Sequence, residues 1–493
     1  MMPVIETDNR PNMLDDIIAA VNAVLWSEWQ LLIYLLVAVG LWFTWQLGGI
    51  QITRLGHAFS LLRNSTKADA SGISAFQALC TSLSARVGNG NLVGVAFAIS
   101  VGGAGAVFWM WVIAVLGMAT AFAESLLAQV YKVRNRNGEF RGGPAYYITQ
   151  GLGQRWLAVV FAICLFLGYG MFFAAMQTNT ITDALDNAYG ISPMITGISI
   201  MLITAVIIVG GLRSIARFAE LAVPFMGMAY VLATIIIVVI NIELVPTMLA
   251  HIVKSAFGFE QAAGGTLGAA LQAGIQRGLY SNEAGSGSAP HAAASASPWP
   301  NHPASQGYIQ MLGVFFDTII LCTCTAFIIL LSGVTTEGGI AGIRLTQDAM
   351  SQHMGSWGVH FVSVAITLFA FTSVVANYAY AQSNLRVFGL DTKFGNRAYT
   401  LLYLAMIMWG SAVSLSQAVA AADMALGLMT VVNVITIVLL TPTLVSVSQD
   451  YLVKLKQGKT INFRKSDCTI QGSDQGSDQG SENSQKNIGV WDH

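Results

Sequence analysis

Two short stretches decide how this 493-residue chain is read: Arg86-Val87-Gly88-Asn89-Gly90-Asn91-Leu92-Val93-Gly94 and Tyr280-Ser281-Asn282-Glu283-Ala284-Gly285-Ser286-Gly287-Ser288-Ala289-Pro290. Each sets a Gly-x-Gly core among small polar residues, inside a run otherwise apolar enough to cross a bilayer. A glycine costs about 1 kcal/mol against alanine in a helix interior, so two within three residues favour unwinding. Unwound backbone at membrane depth is tolerated only where it is buried in protein or lines a watery cavity. Either pair alone is better read as a close helix contact; two at matching places carry the reading toward a binding site. Neither follows a strand as G-x-G-x-x-G, so a dinucleotide site is not indicated.

The composition around them agrees. Apolar residues make up 54% of the chain and charged residues 10%, against roughly 25% charged in an ordinary soluble domain. That excludes a typical soluble enzyme and a disordered scaffold, and points to a polytopic membrane protein. A net charge of −1 with no basic block offers nucleic acid no footprint. Cys80, Cys164, Cys322 and Cys324 fall in apolar runs and Cys468 in a polar tail. Lacking a C-x-x-C pair, they read as small packing residues rather than a zinc or redox site. The opening residues, MMPVIETDNRPNMLDD, are acidic and polar, so a cleaved signal peptide is not expected. Residues 17–26 suit a short interfacial helix.

A spanning helix needs about 20 mostly apolar residues. Such runs fall at 30–50, 74–101, 105–131, 155–184, 193–210, 219–241, 264–293, 306–333, 357–386, 398–418 and 424–447, which makes eleven. The Lys/Arg distribution tests this map. With the N-terminus outside, nineteen of the 24 fall in cytoplasmic segments, from Arg54 and Arg63 to Arg386, Lys393 and Arg397 with six more in the tail. Arg10, Lys254 and Arg344 fall outside, and Arg86 and Arg277 lie within spans. The positive-inside rule then orients the chain N-out, C-in. From about residue 457 the chain turns polar, with GSDQGSDQGSENSQ as a low-complexity repeat, and residues 457–493 are expected to form a disordered cytoplasmic tail.

Behind an N-terminal segment (1–29) and a first span (30–50), ten spans remain. Those near 105, 155, 193 and 219 have counterparts near 306, 357, 398 and 424, and the interrupted 74–101 pairs with the interrupted 264–293. Five is odd, so the unit 264–447 must cross the membrane in the opposite sense to the unit 74–241. Two inverted units, each opening with a broken helix, are the pattern of an alternating-access transporter. Freed N–H groups at a half-helix start hold a carboxylate, and freed carbonyls hold Na⁺ or an ammonium group.

Four longer motifs carry a family resemblance: FQALCTSLSARVGNGNLVGVA (76–96), GGAGAVFWMWVIAVLGMATAFAESLLA (102–128), GGPAYYI (142–148) and RGLYSNEAGSGSAPHAAA (277–294). From residue 27 to about 455 the chain resembles the alanine or glycine:cation symporter family. The resemblance implies an all-α LeuT-type fold, a 5+5 inverted repeat with one extra N-terminal helix. It also implies a bacterial inner-membrane carrier that takes up small neutral amino acids, chiefly alanine, with Na⁺, and no obligate protein partner. Two departures bear on the substrate. Many members have threonine between the first glycines, where this chain has Asn89. Many have a G-W-S-Y-Y-G-E-like string in the ninth span, where this chain has Ala376-Asn377-Tyr378-Ala379-Tyr380-Ala381-Gln382. Asn377 holds the tryptophan position and enlarges or re-polarises a wall of the pocket.

The substrate contacts expected on these grounds are Gly88, Asn89, Gly90 and Asn91 in the first break, with Tyr280, Ser281, Asn282, Gly285 and Gly287 in the second. Gln177 and Asn179, which interrupt FFAAMQTNTI, and Asn377 complete the set; an interhelical hydrogen bond is the plainer role for the fourth-span pair. A Na⁺ is expected between unwound carbonyls near Ala85 and Gly88 and the hydroxyls of Thr372 and Ser373, although Thr and Ser often only bond their own helix. Charges within spans are costly and usually paired or functional. Arg86 and Arg277 are read as gate or scaffold groups, and Glu283 as a buried acceptor that orders its break through backbone N–H bonds. Glu124 and Asp317 are read as buried, bonded acids rather than a proton relay, and Asp183, Asp186 and Asp423 as solvated. Proton coupling, or a broader substrate range that includes glutamine, is the alternative. An intramembrane hydrolase would need a Ser–His pair, an H-E-x-x-H zinc site or two facing aspartates, and only Asp317 lies deep in a span. A receptor or channel would not need two broken helices in inverted registry.

Overall fold

The computed structural model describes residues 13–66, 72–134, 138–208, 211–258, 267–334, 342–472 and 490–491, leaving aside the side chains of Leu14, Leu212 and Arg213. Helices dominate it. In chain order, α1 spans Leu31–Gln46, α2 Ala75–Arg86, α3 Val95–Gly102, α4 Gly105–Val130 and α5 Pro144–Gly151. Next come α6 (Arg155–Tyr189) and α7 (Ser214–Ile240), then α8 (Leu267–Asn282) and α9 (Ala289–Ser295). The last set is α10 (Pro303–Ser332), α11 (Trp357–Asn384), α12 (Lys393–Gly410), α13 (Leu415–Leu439) and α14 (Thr441–Lys456).

By length and composition α4, α6, α7, α10, α11 and α13 qualify to cross a membrane. A seventh is added if Asp15–Ser27 and α1, bent by 41°, form one span. The chain is thus a helical, polytopic membrane protein. The interrupted runs do not form single long helices. α2 stops at Arg86 and the helix resumes at Gly90 in a wider turn that leads into α3. α8 stops at Asn282 and α9 begins only at Ala289.

Local chemistry sets these ends. Ser74 opens α2 with a capping box, its Oγ accepting Gln77 N–H and its own N–H donating to Gln77 Oε1, both at 3.0 Å. Across the break, Glu283, Gly285 and Gly287 take φ of 54°, 90° and 86°, a left-handed run that helix cannot continue through. Small residues then allow close packing. A Cβ on Gly274 or Gly278 of α8 would lie 2.5 Å from Ala106 O and 2.4 Å from Ile113 Cγ2 of α4. A ladder between Ile73–Ser74 and Ala296–Ser297 ties the start of α2 to the end of α9.

Two expectations need correction. The last run ends at Leu439, because Thr441-Pro442 starts the next helix. α13 begins at Leu415, where the Ser414 side chain accepts Gln417 N–H, and this places Asp423 two turns inside it, buried rather than solvated. The start of the tail is also ordered. Phe463 N–H donates to Asn301 O at 3.0 Å, Tyr131 Oη–H to Gln471 O at 2.9 Å, and Trp491 Nε1–H to Gln129 O at 2.8 Å. Polar average composition hid the few apolar residues (Phe463, Ile470, Trp491) that dock. The expectation of disorder for 473–489 and 492–493 lies outside the described residues.

Candidate substrate and ion site

The first break is opened by diverted donors. In a continuing helix Gly88 N–H and Asn89 N–H would close onto the carbonyls of Ser84 and Ala85. Instead Gly88 N–H donates to Asn91 Oδ1 at 3.1 Å and Asn89 N–H to Gln177 Oε1 at 3.2 Å. Asn89 Nδ2 also reaches Met176 O at 3.1 Å, so α6 holds the unwound strand from the side. Of the two, Ser84 O meets hydroxyls of α11, as does Val87 O just beyond the end of α2. Ser373 Oγ–H lies 2.9 Å from Ser84 O and 3.1 Å from Val87 O, and Thr372 Oγ1 lies 3.5 Å from Ser84 O. These carbonyls each stand one residue ahead of the expected Ala85 and Gly88. Two hydroxyls and two carbonyls converging at the C-terminal end of α2 form a neutral, hard-oxygen set at the negative pole of a helix, which suits Na⁺.

The two breaks touch. A Cβ on Gly90 would lie 2.7 Å from Ser281 Cα and 3.0 Å from Tyr280 O, and one on Gly88 would lie 2.7 Å from Ser373 Oγ and 2.8 Å from Gln177 Oε1. Asn91 Nδ2 donates to Asp317 Oδ1 at 2.9 Å, and Ser281 Oγ–H donates to Asp317 Oδ2. Asn377 shares the face of α11 with Ser373, one turn further on, and is buried with both amide atoms unpartnered among the described residues. An orphaned buried amide costs roughly 1–3 kcal/mol, a cost that a bound polar ligand would remove. Gly88, Asn89, Gly90, Asn91, Gln177, Tyr280, Ser281 and Ser373 therefore share one buried region.

Other expected contacts lie elsewhere. Asn179 Nδ2 donates to Gly410 O (3.1 Å) and Val413 O (2.7 Å), capping the end of α12 in the plainer role foreseen for it. The space a Cβ would need at Gly287 is filled by Pro144 (2.7 Å) and Phe161 (2.8 Å), and at Gly285 by Val434 and Thr120. Those glycines pack against protein. Asn282 Oδ1 accepts Ala284 N–H at 3.0 Å, bracing the start of the break. The backbone-ordering role expected of Glu283 falls to Glu124 of α4, whose Oε2 accepts Gly287 N–H at 3.2 Å and Asn433 Nδ2–H at 3.0 Å. Glu283 accepts Ser288 Oγ–H at 2.6 Å, and no backbone N–H among the described residues.

Sequence reasoning missed the acid that engages Arg277. Its guanidinium forks onto Asp423 at 3.2 and 2.9 Å, Gln276 Nε2 adds 3.0 Å, and the Tyr280 ring lies 5.5 Å beneath the cation. This largely buried pair joins α8 to α13 directly beyond the breaks. The signal was Asp423 itself, obscured by the misplaced start of α13. Arg86 is buried with none of its three guanidinium nitrogens hydrogen-bonded among the described residues, while Glu124, Glu283 and Asp317 all lie within its electrostatic reach.

Comparison with known sequences decides the lineage. The model of the sodium:alanine symporter family matches residues 11–465. The chain belongs to the sodium:alanine symporter family. It is 47% identical over 430 residues (87% of this chain, 91% of the relative) to the amino-acid carrier protein AlsT of Bacillus subtilis. It is 43% identical over 454 residues (92% and 94%) to the probable sodium/glutamine symporter GlnT of the same organism. To the sodium/alanine symporter AgcS of Methanococcus maripaludis it is 36% identical over 440 residues (87% and 95%). As a member of the sodium:alanine symporter family it is an amino acid symporter with Na⁺ as coupling ion, and the oxygen set at Ser84, Val87, Thr372 and Ser373 fits that ion.

Proposed function

We propose that this symporter takes up alanine and similar small neutral amino acids with Na⁺ by alternating access, on a LeuT-type 5+5 inverted repeat behind one extra N-terminal helix. Eleven spans result when two broken helices, Pro193–Ile208 and α12 join the seven long ones. The Lys/Arg asymmetry supports an N-out, C-in chain in a bacterial inner membrane; reaction of an impermeant thiol reagent with Lys254→Cys, but not Arg397→Cys, in intact cells checks it.

The observation that carries the reading is the meeting of the two breaks at Gly90 and Ser281, beside the oxygen set of α2 and α11. The substrate carboxylate is placed at the start of the resumed helix, at Gly90, and its ammonium on carbonyls of the Tyr280–Ser281 turn. Gln177 and Asn89 hold the first break in shape, and Asn377 lines the side-chain end. The Arg277–Asp423 pair closes the outer side. Opening it would cost the desolvation of neither charge, since both would meet water, so it suits a reversible gate. The relative named as a glutamine symporter keeps a larger amide substrate as the second reading, favoured by the unpartnered Asn377 amide.

Competition of labelled alanine uptake by unlabelled glycine, serine and glutamine separates the two. Wild type is expected to follow alanine first. Asn377→Trp is expected to raise the half-inhibiting glutamine concentration at least tenfold against that of alanine. An unchanged panel places Asn377 outside the pocket.

A further inference from the structure

Ser373, Asn377, Tyr380 and Asn384 follow one another on α11 at i, i+4, i+7 and i+11. They form one buried polar stripe about 16 Å long that starts at the ion set. Beyond Ser373 the stripe is under-bonded. Both amide atoms of Asn377, the Tyr380 hydroxyl and Asn384 Oδ1 have no hydrogen-bond partner among the described residues. Buried polar atoms are normally bonded, so a run of unpartnered ones along a single helix face marks a surface that meets water in another state of the protein.

The far end of the stripe meets α9. A cavity of about 40 Å³ lies between His291 and Ser295 of α9 and Ala379, Tyr380 and Ser383 of α11, with room for a few waters but not for an amino acid. Between the same helices Asn384 Nδ2 gives one hydrogen to Tyr380 O at 3.1 Å and the other to His291 Nε2 at 2.9 Å. The backbone acceptor fixes which way the amide points. His291 Nε2 is therefore the acceptor, and the bond joins two neutral groups. The Tyr380 ring packs edge-on against the imidazole at 5.7 Å. Gly143, at φ 122°, makes room for the imidazole, since a Cβ there would lie 2.2 Å from His291 Nδ1.

Each side of this seam is tied more firmly elsewhere. The end of α9 is held to α4, where Gln129 Nε2–H donates to Ala293 O and Ala296 O. α11 is held to α12 by Tyr399 Oη–H on Tyr378 O at 3.2 Å and by the Tyr378–Thr400 hydroxyl bond at 2.8 Å. Among the described residues the polar tie between α9 and α11 is the His291–Asn384 bond. We propose that His291, Asn384 and Tyr380 form the cytoplasmic gate of this carrier. Parting of the His291–Asn384 bond frees α9 from α11, and the substrate leaves Asn377 along the stripe toward the cell interior. A neutral bond suits this role, because both partners exchange it for bonds to water when the seam floods. The inference rests on the alternating access and the orientation proposed above, and gives the Arg277–Asp423 pair an inner counterpart.

Thiol labelling tests the gate without substrate or uptake, so its failure is separable from that of the alanine and sodium assignments. In Asn377→Cys, a methanethiosulfonate reagent bearing a quaternary ammonium is applied to inside-out and to right-side-out membrane vesicles. Peptide mass spectrometry then reads modification at position 377 apart from the native cysteines. From the cytoplasmic side, adding His291→Ala or Asn384→Ala is expected to speed labelling at least tenfold. His291→Gln, which keeps an acceptor for Asn384 Nδ2, is expected to stay within threefold of the parent. So is Thr400→Val, which removes the bond to Tyr378 on another face of α11. Equal cytoplasmic rates in the parent, His291→Ala and Asn384→Ala overturn the gate. Faster labelling from the outer side alone overturns its cytoplasmic placement, and a tenfold gain in Thr400→Val overturns the specific role of the His291–Asn384 bond.

Discussion

Gly90→Val is expected to reduce amino acid uptake to background while the protein still inserts in the membrane. The added Cβ would sit 2.7 Å from Ser281 Cα and 3.0 Å from Tyr280 O. Both are backbone atoms of the second break, so no rotamer change relieves the clash, and the two unwound segments must part where they are proposed to share the substrate. Gly88 differs in kind. Its Cβ would meet the ends of two side chains, Ser373 Oγ and Gln177 Oε1, which can turn away at the cost of the ion set and of the bond to Asn89. Gly88→Ala is therefore expected to keep measurable uptake, at least tenfold reduced. Initial rates of labelled alanine uptake, normalised to protein in the membrane, check both. Uptake by Gly90→Val within twofold of wild type contradicts the proposed meeting of the breaks.

Ser373→Ala is expected to raise the half-saturating Na⁺ concentration at least tenfold, equivalent to about 1.4 kcal/mol, with little change in the ranking of amino acids. The Ser373 hydroxyl touches both carbonyls of the set, Ser84 O and Val87 O. Its loss removes an ion ligand without opening a large void. Thr372 approaches only Ser84 O, at 3.5 Å, and bonds its own helix through Phe369 O at 2.8 Å, so Thr372→Ala is expected to have the smaller effect. Sodium titration of uptake at fixed alanine measures the difference. Equal sodium dependence in wild type and Ser373→Ala would move the ion elsewhere.

The breaks were legible because glycine pairs carry a backbone signal that side-chain context does not mask. α2 stops at Arg86, two residues ahead of Gly88, and α8 stops at Asn282, three residues ahead of Gly285. Individual contacts were less legible. Asn179 and Gln177 sit two residues apart, so on a helix they face different ways, and only Gln177 faces the break. Gly285 and Gly287 looked like copies of Gly88 and Gly90, yet their missing side chains make room for Pro144, Phe161 and Val434, whereas those of Gly88 and Gly90 make room for Ser373, Gln177 and the second break. Nothing local distinguishes these uses of glycine; the partner helix does. Asp423 was misread for a related reason, since one uncertain helix start moved it from a buried ion pair to a solvated end. Asp317 and Glu124 were read correctly as bonded acids, because a carboxyl deep in a span must find donors.

The most direct test of the account is alanine uptake by the purified protein in liposomes at symmetric pH. The substrate is a zwitterion, so entry with Na⁺ moves positive charge inward, and each charge gains about 2.3 kcal/mol per 100 mV of inside-negative potential. Uptake is expected to require an inward Na⁺ gradient, to accelerate when a potassium diffusion potential makes the interior negative, and to vanish when choline replaces Na⁺. Full uptake driven by a pH gradient in Na⁺-free buffer would contradict the sodium site on α2 and α11 and return Glu124, Glu283 and Asp317 to the mechanism.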